Sequence, residues 1–178
     1  MKTTKSSLEG IVIIEPDVYE DDRGFFIETY HEQRYKDAGI KDTFVQDNHS
    51  RSYKNVLRGM HFQIKNPQAQ IVTLMHGIIY DVVVDIRKNS PTFADWFGVE
   101  LSVNGKRQIY MPPGFAHGFI VLSDWADIHY KVSTFYNPNN ESGILWNDPD
   151  ICIKWPNESP IVSVKDENLK CLKDIVIS

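Results

Sequence analysis

An imidazole and a guanidinium stand three residues apart in VLRGMHF, residues 56–62, a stretch that otherwise reads as a β-strand. Histidine titrates near neutral pH and can take or give a proton. Arginine carries a fixed charge and a planar fork of donors suited to anions. Taken alone, His61 reads as a satisfied structural histidine. Arg58 changes that reading, because burying a guanidinium beside a histidine is costly unless an anion such as a diphosphate completes the site. In regular strand geometry residues three apart point to opposite faces. Arg58 and His61 can therefore share a pocket only if Gly59 permits a bulge or twist.

Other side chains with chemical potential are scattered. Tyr130, in DIHYKVSTFY, shares the parity of Ile128 and Val132, so it reads as a core tyrosine or as an inward-facing acid. Asp166, in VSVKDEN, has the position of a solvated helix-start residue, and nothing local marks it as a partner for an imidazole. Asp81 and Asp85 lie on one face of a valine- and isoleucine-rich strand, so they require partners inside the fold. PPGFAHGF, with His117, supplies the Pro-x-Gly-x-x-His pattern of the second cupin motif. The first cupin motif needs His-x-His and a glutamate, but the chain has only His61-Phe62-Gln63. Two imidazoles leave too few ligands for an ordinary metal site, so no metal is expected.

The elements that must hold these residues are short strands. Period-two alternation runs through Ile78 to Arg87 and recurs in GIVIIEP, GFFIETY, QIVTLMH, WFGVELSV, RQIYMP, HGFIVLS and DIHYKVSTFY. Turn signals at Asp22-Arg23-Gly24, Asn89-Ser90-Pro91, Asn104-Gly105 and Pro112-Pro113-Gly114 separate them. Many short strands at this spacing predict a sandwich or barrel. Helix is expected only over HEQRYKDAGI, closed by Gly39, and over SVKDENLKCLKDI, capped by Ser163. One all-β domain over residues 1–178 with short peripheral helices is the expectation at this length. A net charge of -5 argues against broad nucleic-acid binding but leaves room for a small anionic ligand. Cys152 and Cys171 lack CxxC spacing, which suits a reducing compartment. Neither a secretory signal nor a long apolar run is evident, so a soluble cytoplasmic protein without membrane contact is expected.

In order and spacing, DDRGFFIETY, FVQDNHSRS, NVLRGMHFQ, GIIYDVVVDIRKNSPTF, PPGFAHGF, HYKVSTFYNP and ILWNDPDICIKWP resemble the dTDP-4-dehydrorhamnose 3,5-epimerase family, over about residues 9–167. The resemblance implies a metal-free cupin-type jelly-roll barrel that works without a cofactor. It also implies a homodimer sharing N-terminal strands, and a nucleotide-diphosphate 4-keto-6-deoxy sugar as substrate. By the same resemblance His61 is the base, Asp166 its carboxylate partner and Tyr130 the acid on the opposite sugar face. Arg58 and His117 would line the diphosphate and sugar, while Arg23, Phe26, Glu28, Gln46 and Asn48 match nucleotide or sugar contacts.

One position departs from the pattern. The family carries a lysine, assigned to the enolate oxygen, where this chain has Gln70 in Gln68-Ala69-Gln70. Charge-assisted hydrogen bonds are roughly twice as strong as neutral ones, so enolate stabilisation is weaker or comes from elsewhere. This departure leaves several readings open: epimerisation of one carbon only, a CDP- or GDP-linked or heptose substrate, a ketoisomerase of the same fold, or a binding module without turnover. In the plain alternative Gln70 is tolerated and Arg58 or His117 takes over.

Overall fold

The structure, a computed structural model, describes residues 1–175, so the last three residues of the expected domain, 176–178, lie outside the described residues. The N-terminal third contains strands β1 (Lys2–Lys5), β2 (Val12–Glu15), β3 (Val18–Asp21) and β4 (Gly24–Ile27), then helix α1 (Glu32–Asp37). Next come β5 (Gln46–Tyr53), β6 (Leu57–Gln63), β7 (Gln70–His76), β8 (Ile78–Asp85) and β9 (Trp96–Ser102). The chain continues through β10 (Gln108–Met111), β11 (Phe115–Val121), β12 (Trp125–Val132) and β13 (Glu141–Gly143). It ends in helix α2 (Val164–Glu167) and a 3₁₀ turn, Leu172–Asp174.

The strands form an all-β jelly roll of two facing antiparallel sheets, in the orders β1-β2-β10-β7-β12-β5 and β13-β6-β11-β8-β9. Their inner faces meet in one apolar cluster. Val72, Leu74, Ile109, Ala126 and Ile128 come from the first sheet, and Ile79, Val83, Leu101, Phe119 and Val121 from the second. A separate cluster covers the outside of the second sheet, where Met60, Phe62, Val82, Val84 and Ala116 pack under Ile144, Ile151 and Leu172 from the C-terminal segment. Strand β8 is thus buried on both faces, which accounts for its nearly continuous apolar run. On the outside of the first sheet Tyr35 of α1 packs with Ile14, Ile40 and Ile71.

Asp85 finds its partners locally. Its carboxylate accepts hydrogen bonds from the Arg87 backbone and guanidinium and from the hydroxyls of Ser90 and Thr92. Burial works to raise its pKa, but these donors outweigh it and hold the carboxyl well below the usual carboxylate range.

One expectation changes. The C-terminal helix expected over SVKDENLKCLKDI is only α2 and the 3₁₀ turn. Between them Lys170 bridges Ile144 and accepts a hydrogen bond from the Leu145 N–H, so tertiary pairing takes the backbone out of the helix. Helix α1 matches its expected position, and Gly39 follows it at φ +93°, as a left-handed helix stop requires. Among the described residues no helix is long and apolar enough to cross a membrane.

Candidate active site

The geometry of VLRGMHF resolves the parity problem. His61 pairs with His117 and Arg58 with Phe119, so three residues of β6 span two of β11. This bulge turns Arg58 and His61 to the same inner face. Gly59 makes it possible. Its φ of +132° disfavours any side chain, and a Cβ there would stand 2.5 Å from the Cα of Gly118.

His61 is held from the side of α2. Its Nε2 lies 2.7 Å from Oδ1 of Asp166, whose other oxygen accepts a 3.3 Å hydrogen bond from the Gly59 N–H. The Ser163 hydroxyl caps α2 by accepting from the Asp166 N–H, which fixes where the buried carboxylate sits. Burial works to raise the Asp166 pKa. The hydrogen bond and charge of His61 and the Gly59 N–H outweigh it, and the carboxyl lies below its ordinary value. An ionised carboxylate only accepts, so in the neutral ring the imidazole proton resides on Nε2 and the lone pair on Nδ1.

A second carboxylate flanks that lone pair. Oε1 of Glu141, in β13, lies 4.0 Å from Nδ1 of His61. Lys165 and the Tyr136 hydroxyl both donate to the other Glu141 oxygen. Burial works to raise the Glu141 pKa, but these donors and the charge of His61 bring it below its ordinary value. The bond to Glu141, with partial burial, pushes Tyr136 up to about 12.

Tyr130 occupies the opposite wall. It projects from β12 against the inner apolar cluster, between Asn48 of β5 and Val72 of β7. Burial raises its pKa, with Arg58 pulling downward and Glu141 pushing upward. The phenol thus keeps its proton throughout the neutral range.

Strand β5 brings a polar row to this side of the barrel. Gln46, Asn48, Ser50 and Ser52 alternate with exposed neighbours and face inward. The Gln46 amide donates to Oδ1 of Asn48 at 2.8 Å, and Nε of Arg58 donates to the Ser52 hydroxyl at 2.8 Å. On β11 His117 faces the same interior, with Nε2 2.8 Å from Oδ2 of the fully buried Asp81. Asp81 is therefore the partner of His117, as Asp85 is that of Arg87. Gln70 begins β7 on the inward parity of Val72 and borders a cavity of about 300 Å³ at the barrel mouth.

Among the expected site residues, His61, Asp166, Tyr130, Arg58, His117, Gln46, Asn48 and Gln70 are placed around one barrel interior. Arg23, Phe26 and Glu28 are not. They belong to the β3–β4 hairpin and its exit, whose strands, among the described residues, pair only with each other. There Arg23 bonds to Asp21, Phe26 is exposed, and Glu28 accepts from Arg34 at 2.7 Å. Among the described residues no group of three His, Cys, Asp or Glu side chains is placed to hold a metal ion.

Glu141, Lys165, Tyr136 and Ser52 carry no sequence motif that assigns them a role. Glu141 and Lys165 sit in short polar segments with no periodicity, so only the packed structure brings them to the imidazole. Ser52 could have been found from parity, because it shares the face of Gln46 and Asn48.

Comparison with known proteins agrees in fold and sequence. The family profile described as dTDP-4-dehydrorhamnose 3,5-epimerase matches residues 5–174. The protein of that name from Methanothermobacter thermautotrophicus is 49% identical over 173 residues, covering 96% of this chain and 94% of its own. The one from Salmonella typhimurium is 50% identical over 169 residues, covering 93% and 92%. Also similar is the crystal structure of dTDP-6-deoxy-D-glucose-3,5-epimerase from Legionella pneumophila in complex with dTDP-4-keto-L-rhamnose. It matches with a TM-score of 0.96 at 46% identity, covering 98% of this chain and 94% of that one.

Proposed function

The chain belongs to the dTDP-4-dehydrorhamnose 3,5-epimerase family, and from that premise we propose how its barrel inverts carbons 3 and 5 of a dTDP-linked 4-keto-6-deoxy sugar. It is an isomerase. A hydrogen on carbon next to the ketone becomes acidic because the electrons left behind spread onto the carbonyl oxygen. His61, with its lone pair on Nδ1, takes that proton. Asp166 holds the ring in one tautomer and, together with Glu141, stabilises the imidazolium that forms.

Inversion requires the returning proton to arrive on the other face of the sugar. Tyr130, protonated and on the facing wall, supplies it, and the Arg58 guanidinium nearby favours the phenolate left behind. Solvent then restores both groups. Because the ketone at carbon 4 adjoins carbons 3 and 5, the same pair serves each in turn. Proton transfer changes no net oxidation state, so the chemistry calls for no cofactor. Arg58 and His117 meet the diphosphate and sugar, and Gln46 and Asn48 the nucleotide.

The observation that carries this reading is the placement of His61 and Tyr130 on opposing inner walls of one barrel. In deuterium oxide the enzyme is expected to incorporate deuterium at carbons 3 and 5 of dTDP-4-keto-6-deoxyglucose, read by NMR. His61→Ala is expected to slow incorporation by about 10²–10⁴-fold. Undiminished exchange in that variant would remove His61 as the base.

The working unit is a homodimer in which the β3–β4 hairpin of one copy carries Arg23, Phe26 and Glu28 to the pocket of the other. Two features support this. The hairpin exposes Tyr19, Phe25 and Phe26, and among the described residues β5 is an edge strand paired on one side only.

A further inference from the structure

Among the described residues two glutamines are buried, with opposite treatments. Gln108 is fully satisfied: its oxygen accepts from the Tyr35 hydroxyl, and its nitrogen donates to the Thr29 carbonyl and the Thr73 hydroxyl. Gln63 is only 7% exposed, yet neither Nε2 nor Oε1 has a hydrogen-bond partner among the described residues. Native folds rarely leave both ends of a buried amide unmatched, because the group has lost its water and gained nothing.

The position of Gln63 says what could match it. It lies two residues beyond His61 on the same inward parity of β6, while Met60 and Phe62 pack on the outside. Gln63 and Gln70, from the facing sheet, line the same cavity, together with Phe115 and Lys88. An amide offers a donor and an acceptor side by side. Phosphate oxygens only accept, so a diphosphate would leave Oε1 unmatched. A ketone flanked by a hydroxyl offers an acceptor and a donor on neighbouring carbons, which answers both ends of the amide.

We propose that Gln63 is a further substrate-contacting residue. Its Nε2 donates to the carbonyl oxygen at carbon 4, and its Oε1 accepts from the hydroxyl at carbon 3, with Gln70 as a second neutral donor at the same oxygen. This rests on the epimerase reading above and deepens it. As His61 withdraws the proton, negative charge grows on an oxygen already held by amide donors, so the enolate is stabilised by neutral groups aimed in advance.

The test is Gln63→Met, which keeps the volume and removes both polar ends. Its stability, its affinity for dTDP alone and its kinetics with dTDP-4-keto-6-deoxyglucose are to be measured together. The expected result is a thermal midpoint equal to or above wild type, unchanged dTDP affinity, and kcat/KM at least tenfold lower. A structural amide would instead give a lower midpoint, and a nucleotide contact would give weaker dTDP binding. Either result overturns the proposal, as does kcat/KM within twofold of wild type. Gln63→Glu separates the two ends of the amide, because it keeps the acceptor and loses the donor; it is expected to be at least as impaired as Gln63→Met. Wild-type enzyme without turnover would refute the functional reading and this inference with it. An active wild type with an equally active Gln63→Met refutes the inference alone.

Discussion

The proton on Nε2 of His61 is there because Asp166 can only accept, and this makes Asp166→Asn a sharper probe than its size suggests. The amide can donate to Nε2, which moves the ring proton to Nδ1 and takes the lone pair from the substrate side. Turnover is expected to fall by about 10²-fold or more with dTDP affinity unchanged, measured by kinetics and ligand titration. Tyr130 gives the corresponding prediction in pH. Its phenol pKa is raised by burial, so the donor form persists above about pH 10, the ordinary value. The alkaline limb of kcat is expected above that point, with Tyr130→Phe losing turnover and the limb together; a limb below pH 9 would assign it to another group. How far these roles could be read from sequence depends on whether they have a local signature. Arg58 and His61 are conspicuous by residue type although strand parity sets them on opposite faces, and Tyr130 is legible only as an inward-facing candidate; their proposed roles come from the resemblance. Asp166 looked like an ordinary helix-start residue, and only resemblance pointed to it, because its burial and its imidazole partner arise from a contact 105 residues away in sequence.

Among the elements, β6 depends on the smallness of two residues, Gly59 and Gly118, where it crosses β11. A methyl at Gly59 would meet Gly118 Cα at 2.5 Å and the His117 carbonyl at 2.9 Å, at a φ that disfavours it in any case. Gly59→Ala is expected to cost about 1–3 kcal/mol in urea denaturation. It should also lower kcat/KM, because relief of the clash moves Arg58 relative to His61. Strand β8 gives a pH prediction. The Asp85 pKa is depressed in the fold, so its stabilisation is complete above the ordinary carboxylate value of about 3.9 and is lost as pH falls below it. Asp85→Asn is expected to flatten that acid limb and to cost roughly 3 kcal/mol at pH 7, the low end for breaking a buried pair, since Arg87 is about a third exposed. The two aspartates of β8 were legible as anomalies because charge is conspicuous in an apolar strand. Strand β5 is not legible as a strand. Its inward residues are amides and hydroxyls, so it lacks the hydrophobic alternation by which strands are recognised.

In the whole molecule, the separation of Arg23, Phe26 and Glu28 from the His61 cluster has a testable form. If each pocket borrows the hairpin of the other copy, Arg23→Ala and His61→Ala subunits are each defective alone. Mixing and reassembling them should restore activity, because half of the pockets in each mixed dimer then contain both intact residues. Sedimentation is expected to give twice the 20.6 kDa chain mass, and a monomer, or no complementation, would confine the site to one chain. The fold class was legible from the rhythm of strands and turns, whereas the pairing of sheets and hairpins depends on contacts distant in sequence. The polar row on β5 has a broader consequence. Cohesion between the sheets comes from Val72, Leu74, Ile79, Val121 and their neighbours, whereas Gln46, Asn48 and Ser50 add little to it. Substitutions along that row can accordingly retune which ligand is accepted while the melting temperature scarcely moves, so new specificities should be reachable without first reinforcing the scaffold.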